Sequence, residues 1–111
     1  MADVIFECSF LGGIVYLTEE RTNHIRTAHP EFSAMEPSAV LAILKSAVEE
    51  PSIVVQSRKD PQGLIFGRWE PHLYGGKYAT VTIITSPERN WIITAFISGY
   101  RPKGKILWTQ D

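Results

Sequence analysis

The chain has a single cysteine in 111 residues, so an internal disulfide is excluded. Cys8 lies in the strand-forming run Val4-Ile-Phe-Glu-Cys-Ser-Phe10 and reads as a small core hydrophobe, not as a nucleophile. Metal-binding patterns are missing too: there is no HExxH, no CxxC and no carboxylate cluster. His24 and His29 stand five apart, whereas two ligands on one helical face stand three or four apart. Gly12-Gly13 and Gly75-Gly76 lack the strand–loop–helix setting and the following lysine of a phosphate loop. No metal or cofactor is therefore expected. No apolar run approaches the ~18 residues of a membrane span. The start, Met1-Ala-Asp-Val-Ile-Phe-Glu7, is acidic where a signal peptide is basic. The expectation is a cytoplasmic protein without a membrane partner. Positive charge is also short: the net charge of −1 argues against a generic nucleic-acid coat.

What is present is ordinary in bulk and uneven in distribution. An apolar fraction of 44% and a charged fraction of 21% fit one globular domain spanning 1–111, large enough for its own core. Residues 1–56 carry three basic and eight acidic side chains, a net −5, and residues 57–111 carry eight and four, a net +4. The second half can offer a small basic patch to a phosphate chain, or only a solvated mixed surface.

Residues 4–10 and 14–17 are strand-forming and flank the Gly12-Gly13 turn, which reads as an N-terminal hairpin. Thr18 is placed to cap a helix whose first turn holds Glu19 and Glu20. Pro30 disfavours helix at His29 and ends it there. Pro37 opens a second helix and Pro51 closes it. Val40, Leu41, Leu44, Ala47 and Val48 form one apolar stripe along it. Strands follow at 53–57, 64–69, 78–85, 91–98 and 106–108, separated by turns and loops of hairpin length, with 78–85 as a central strand. This order predicts an α+β fold: an N-terminal hairpin and two helices packed on one face of a mostly antiparallel sheet of about four or five strands. Ile25 and Ala28 anchor the first helix, leaving Arg21 and His24 near an edge of the sheet.

The first helix carries the most informative segment, Arg21-Thr-Asn-His24-Ile-Arg26-Thr-Ala-His29-Pro30-Glu31. Arg21 and His24 are three apart and share a helical face. Histidine gives and takes protons near neutral pH, and a neighbouring cation suits chemistry on a phosphate. The same histidines also read simply as polar surface or helix-end residues. Further candidates are Thr94 and Ser98 on the long strand and Arg101, Lys103 and Lys105 after it. Strict alternation puts Ile92, Thr94, Phe96 and Ser98 on one face and Trp91, Ile93, Ala95 and Ile97 on the other. Thr94 is either a good strand former with a locally satisfied hydroxyl or a hydroxyl that holds a phosphate oxygen.

Three segments, Glu20-Arg21-Thr-Asn-His24-Ile-Arg-Thr-Ala-His29-Pro30-Glu31, the helix ending in Glu50-Pro51, and Ile92-Ile93-Thr94-Ala95-Phe96, resemble a known group. They are similar to the phage- and toxin-associated nucleases of the barnase–EndoU–colicin–RelE-like (BECR) superfamily, over roughly residues 14–110. The resemblance implies a small α+β ribonuclease domain that cleaves RNA without a metal ion. In that chemistry the ribose 2′-hydroxyl attacks the adjacent phosphate and leaves a 2′,3′-cyclic phosphate. By the same resemblance His24 is the acid/base, Arg21 binds phosphate and Thr94 supplies the strand hydroxyl. His29, Arg101, Lys103 and Lys105 are then substrate-binding, the partner is RNA, and a cognate antitoxin or immunity protein is a possible second partner.

The competing expectation is a non-catalytic α+β interaction module that keeps the fold and binds a protein through exposed aromatics such as Trp69, Tyr74 and Tyr100. The acidic first half would also suit an antidote, a reading the Arg/His helix does not support.

Overall fold

The structure, a computed structural model, describes residues 3–110. Strand β1 (Val4–Cys8) and strand β2 (Gly13–Leu17) form the expected hairpin, closed at Gly12 with φ of 68°. Helix α1 (Glu19–Ala28) follows at once, then a short helix α2 (Pro30–Ser33) and helix α3 (Pro37–Glu49). The remaining strands are β3 (Ile53–Gln56), β4 (Gly63–Glu70), β5 (Lys77–Thr85), β6 (Asn90–Ser98) and β7 (Lys105–Thr109).

All seven strands belong to one sheet, in the order β1-β2-β6-β5-β4-β3-β7. The α+β organisation is as expected, and β5 is the central strand. The sheet differs from the four or five mostly antiparallel strands anticipated, because the N-terminal hairpin joins it. β2 pairs in parallel with β6 through Val15↔Asn90 and Tyr16↔Trp91, and every other pairing is antiparallel. Asn90 reinforces that short junction, its Nδ2 donating to the Ile14 carbonyl at 3.3 Å. The helices number three among the described residues, since Pro30 starts a four-residue helix of its own between the two expected ones.

One face of the sheet carries the core. Phe6, Val15, Leu17, Val54, Leu64, Phe66, Val81, Ile83 and Ile92 pack there with Val40, Leu44, Ala47 and Val48 of α3. α3 lies against β1, β4 and β5. Its stripe is as expected except at Leu41, which is half-buried at the rim while Val40 is fully buried. At the C-terminal end of α3, Arg68 of β4 donates to the Glu50 carbonyl at 2.6 Å, a cation where the helix dipole is negative. Cys8 is buried in β1, and burial pushes its thiol pKa up, in keeping with a packing role. No helix among the described residues is long and apolar enough to cross a membrane.

Candidate functional site

Helix α1 begins and ends where its sequence dictates. Thr18 caps it, accepting from the Arg21 amide at 3.2 Å, and Glu19 and Glu20 occupy the first turn. His29, forced into extended backbone by Pro30, closes it with φ of −125° and ψ of 102°. Thr22 and Ile25 are the buried anchors. Ala28, expected to share that task, is exposed, since the buried stripe of the helix runs through Thr22 and Ile25.

The helix lies against β6. β2 pairs with β6 only at Asn90 and Trp91, so α1 takes the side of the strand that β2 leaves open. Arg21 marks the join, its Nη1 donating to the Ile93 carbonyl at 3.4 Å. Ile93 is the extra residue of a β-bulge, since pairing with β5 jumps from Thr82↔Thr94 to Ile83↔Ile92. An inserted residue reverses which face the following side chains occupy. Ile92 therefore shares the core face with Ala95, while Thr94 turns to the opposite, open face with Phe96 and Ser98. Strict alternation had placed Ile92 and Thr94 together, and the bulge separates them.

Below Thr94 the open face is aromatic and hydroxyl-bearing. The His29 ring packs on Phe96 with centroids 6.2 Å apart, and its Nδ1 lies 4.0 Å from a Glu31 carboxylate oxygen. Phe96 also lines a cavity of about 340 Å³ with Thr80, Ser98, Tyr100, Arg101 and Lys103. Thr80, opposite Phe96 on β5, is 2% exposed, and its Oγ1 has no hydrogen-bond partner among the described residues. At the upper end of the strand the Arg89 guanidinium stacks over the Trp91 ring at 4.4 Å and over Tyr16 at 5.5 Å. Trp91 and Thr94 are both on the open face, so β6 presents a hydroxyl with a cation on either side of it.

Of the residues singled out in the sequence, Arg21 reaches the backbone beside Thr94, and His29, Arg101 and Lys103 gather around Phe96. His24 is one turn beyond Arg21 on α1, with its side chain exposed. Lys105 stands apart, exposed at the start of β7 and paired with Gln56, with β3, β4 and β5 between it and β6. Thr80, Phe96 and Arg89 were not foreseen. Alternation along 78–85 puts Thr80 on one face with Thr82, but only the cover over that face makes Thr80 buried. A larger cavity of about 460 Å³ lies elsewhere, between Phe10, Glu49, Glu50, Pro51 and Trp108, and its two carboxylates make it a poor site for phosphate.

The chain matches no protein-family model, no curated protein and no solved structure. A guanidinium makes up to five N–H donations, and among the described residues Arg21 spends one of them on the Ile93 carbonyl. An exposed imidazole beside it can exchange protons with a bound substrate, and a strand hydroxyl can donate to an anionic oxygen. The Arg21–Ile93 contact is what links the α1 groups to the strand that bears Thr94.

Proposed function

We propose that the protein is a metal-independent endoribonuclease of the toxin type, acting on single-stranded or tRNA-like RNA at the open face of the sheet beside α1. In the reaction the ribose 2′-oxygen bonds to the adjacent phosphorus as the bond to the 5′-oxygen breaks. The 2′-hydroxyl loses a proton, the leaving 5′-oxygen gains one, and a 2′,3′-cyclic phosphate remains. His24 is the proton carrier. Arg21 neutralises the charge that builds on the phosphorane, and the Thr94 hydroxyl holds one of its oxygens. Fixed donors of this kind lower the barrier most where water is partly excluded. Phosphate groups on either side of the reacting one meet Arg89 above and Arg101 and Lys103 below. A cognate antitoxin or immunity protein is part of the same proposal.

The observation that supports this reading best is the join between α1 and β6. The Arg21 guanidinium reaches the carbonyl of the residue preceding Thr94 at 3.4 Å, and the bulge at that residue turns the Thr94 hydroxyl to the open face. The test is RNA cleavage in EDTA, with the product ends analysed for a cyclic phosphate. The wild type should cleave, and His24→Ala should cleave about 10²–10⁴-fold more slowly. A 2′-deoxy substitution at the cut site should block the wild type, and cleavage that survives it would sink the mechanism.

A second reading is a protein-interaction module that retains the fold without cutting. Trp69, Tyr74 and Tyr100 are 44%, 55% and 80% exposed, and β7 is an edge strand with Ile106, Leu107 and Trp108 in contact with solvent. Such an edge accepts an added strand. RNA cleavage in EDTA that slows in this way with His24→Ala decides between the two readings.

A further inference from the structure

Arg101 lines a second cavity besides the one over Thr80. That neighbour, about 330 Å³, is bounded by Ser52, Ile53, Trp69, Tyr78 and Arg101. Each cavity is at the small end of the range for bound ligands. Tyr78 and Thr80 alternate with Ala79 along β5, so both occupy the open face, about 7 Å apart. Trp69 meets Tyr78 edge-on, with ring centroids 5.1 Å apart. Two aromatic-walled hollows thus lie side by side with one guanidinium on the boundary.

The boundary is built, not incidental. Pro102, next to Arg101, is seated over Gly67, where a β-carbon would come within 2.8 Å of the proline ring. The segment's far end is held at Gly104, with φ of 150°, where a β-carbon would collide with the Gln56 carbonyl oxygen. In the first cavity the buried Thr80 hydroxyl lacks a partner among the described residues. A buried hydroxyl without a partner costs stability unless something fills the role. Ser98 accepts from the Tyr100 amide at 3.1 Å, which leaves its own proton to donate.

We propose that these two cavities hold two adjacent nucleotides of single-stranded RNA, with the connecting phosphate on Arg101. One base rests beside Phe96 with its polar edge on the hydroxyls of Thr80 and Ser98, and the next lies against Trp69 and Tyr78. Aromatic faces stack any base, and a polar edge group gives one position a preference. The bases are splayed, since the cavity floors are farther apart than the ~3.4 Å of a stacked strand. This assignment rests on the ribonuclease reading for its substrate class and adds where the chain lies and which nucleotides it distinguishes.

The test separates binding from cutting with 2′-O-methyl oligonucleotides, which lack the attacking hydroxyl, measured by fluorescence anisotropy on the full chain. A dinucleotide should bind more tightly than a mononucleotide. Arg101→Ala should remove most of that gain and reduce the salt slope by about 0.7, as one lost phosphate contact on a single strand does. Trp69→Ala should weaken binding about five- to 150-fold, the range for one stacked base. Thr80→Val, which keeps the side chain's shape, should flatten the difference between the four homopolymers. Trp108→Ala on the far edge should change nothing, and circular dichroism checks that each variant folds. If Arg101→Ala and Trp69→Ala bind like the wild type while the wild type cleaves RNA, the two-nucleotide assignment is overturned and the ribonuclease reading stands. If both variants lose binding and no cleavage occurs in EDTA, the assignment stands and the enzyme reading fails. Binding of a peptide in place of RNA by Arg101 and Trp69 would overturn the assignment.

Discussion

Pro102 rests on Gly67, and the sheet has no room there for even one more carbon: a β-carbon at position 67 would lie 2.8 Å from both Cδ and Cγ of the proline and 3.2 Å from Ile53 Cγ2. This contact, between a residue of β4 and one of the loop before β7, sets how Arg101 and Lys103 lie over the open face. The backbone at Gly67 is ordinary in φ, so the constraint is space and not strain.

Gly67→Ala is therefore expected to lift the 99–104 segment or to destabilise the fold. The cost should fall within the roughly 1–3 kcal/mol typical of overpacking. Urea denaturation of Gly67→Ala beside Gly13→Ala gives the comparison, since a β-carbon at Gly13 meets nothing within 4 Å. Equal stability together with unchanged RNA affinity would show that the proline seat does not position the cations.

Leu44 is fully buried under α3, and Leu41, three residues earlier, is only half-buried. Leu44→Ala should cost roughly 2–5 kcal/mol, as buried leucines do, and Leu41→Ala distinctly less. Chemical denaturation measures both. A Leu44→Ala cost below about half a kcal/mol would mean that the α3 stripe contributes little to the core.

Much of this arrangement was readable in the sequence, and the parts that were not have definite causes. Thr18, Pro30, Pro37 and Pro51 are local signals, so the limits of α1 and α3 follow from them. Gly67 inside the run Leu64–Trp69 is the ordinary sign of a close backbone approach, and Pro102 makes that approach. The parallel pairing of β2 with β6 has no local signature, because its partners are 75 residues apart in sequence, Val15 with Asn90. The bulge at Ile93 is equally silent: Trp91 to Ile97 are nearly all strand formers, and no glycine marks the inserted residue. That one residue decides the face of Thr94, so the most consequential feature of the candidate site was the least legible.

Lys45 and Glu49 form an i,i+4 pair at 2.6 Å on α3, and Glu49 also accepts from the Glu7 amide at 3.0 Å. The hydrogen bond from Lys45 is the main cause that holds the Glu49 carboxyl below its ordinary 4.5, helped by the Glu7 amide and opposed by burial. A lowered carboxyl pKa stabilises the fold above the ordinary value, and that contribution is lost as the pH falls through the lowered one. The wild type should lose thermal stability more steeply than Glu49→Gln below about pH 4.5. Parallel melting curves across that range would remove the pair from the acid sensitivity.

His24 is exposed on α1 beyond Arg21, whereas His72 lies in the loop between β4 and β5, beside Leu73 and Glu70. A proton carrier typically contributes 10²–10⁴-fold, and one lost donor to a charged oxygen about 10²–10³-fold. On one RNA substrate in EDTA, His24→Ala should fall by the first range, Thr94→Val by the second, and His72→Ala should remain close to wild type. Circular dichroism separates lost chemistry from lost folding, and Thr94→Val keeps the side chain's volume while deleting only its hydroxyl. Because the Arg21 guanidinium reaches the Ile93 carbonyl at 3.4 Å, Arg21→Lys should fall more than its conserved charge suggests, since an ammonium lacks the fork that can meet both strand and phosphate. Equal activity of His24→Ala and His72→Ala would take His24 out of the mechanism.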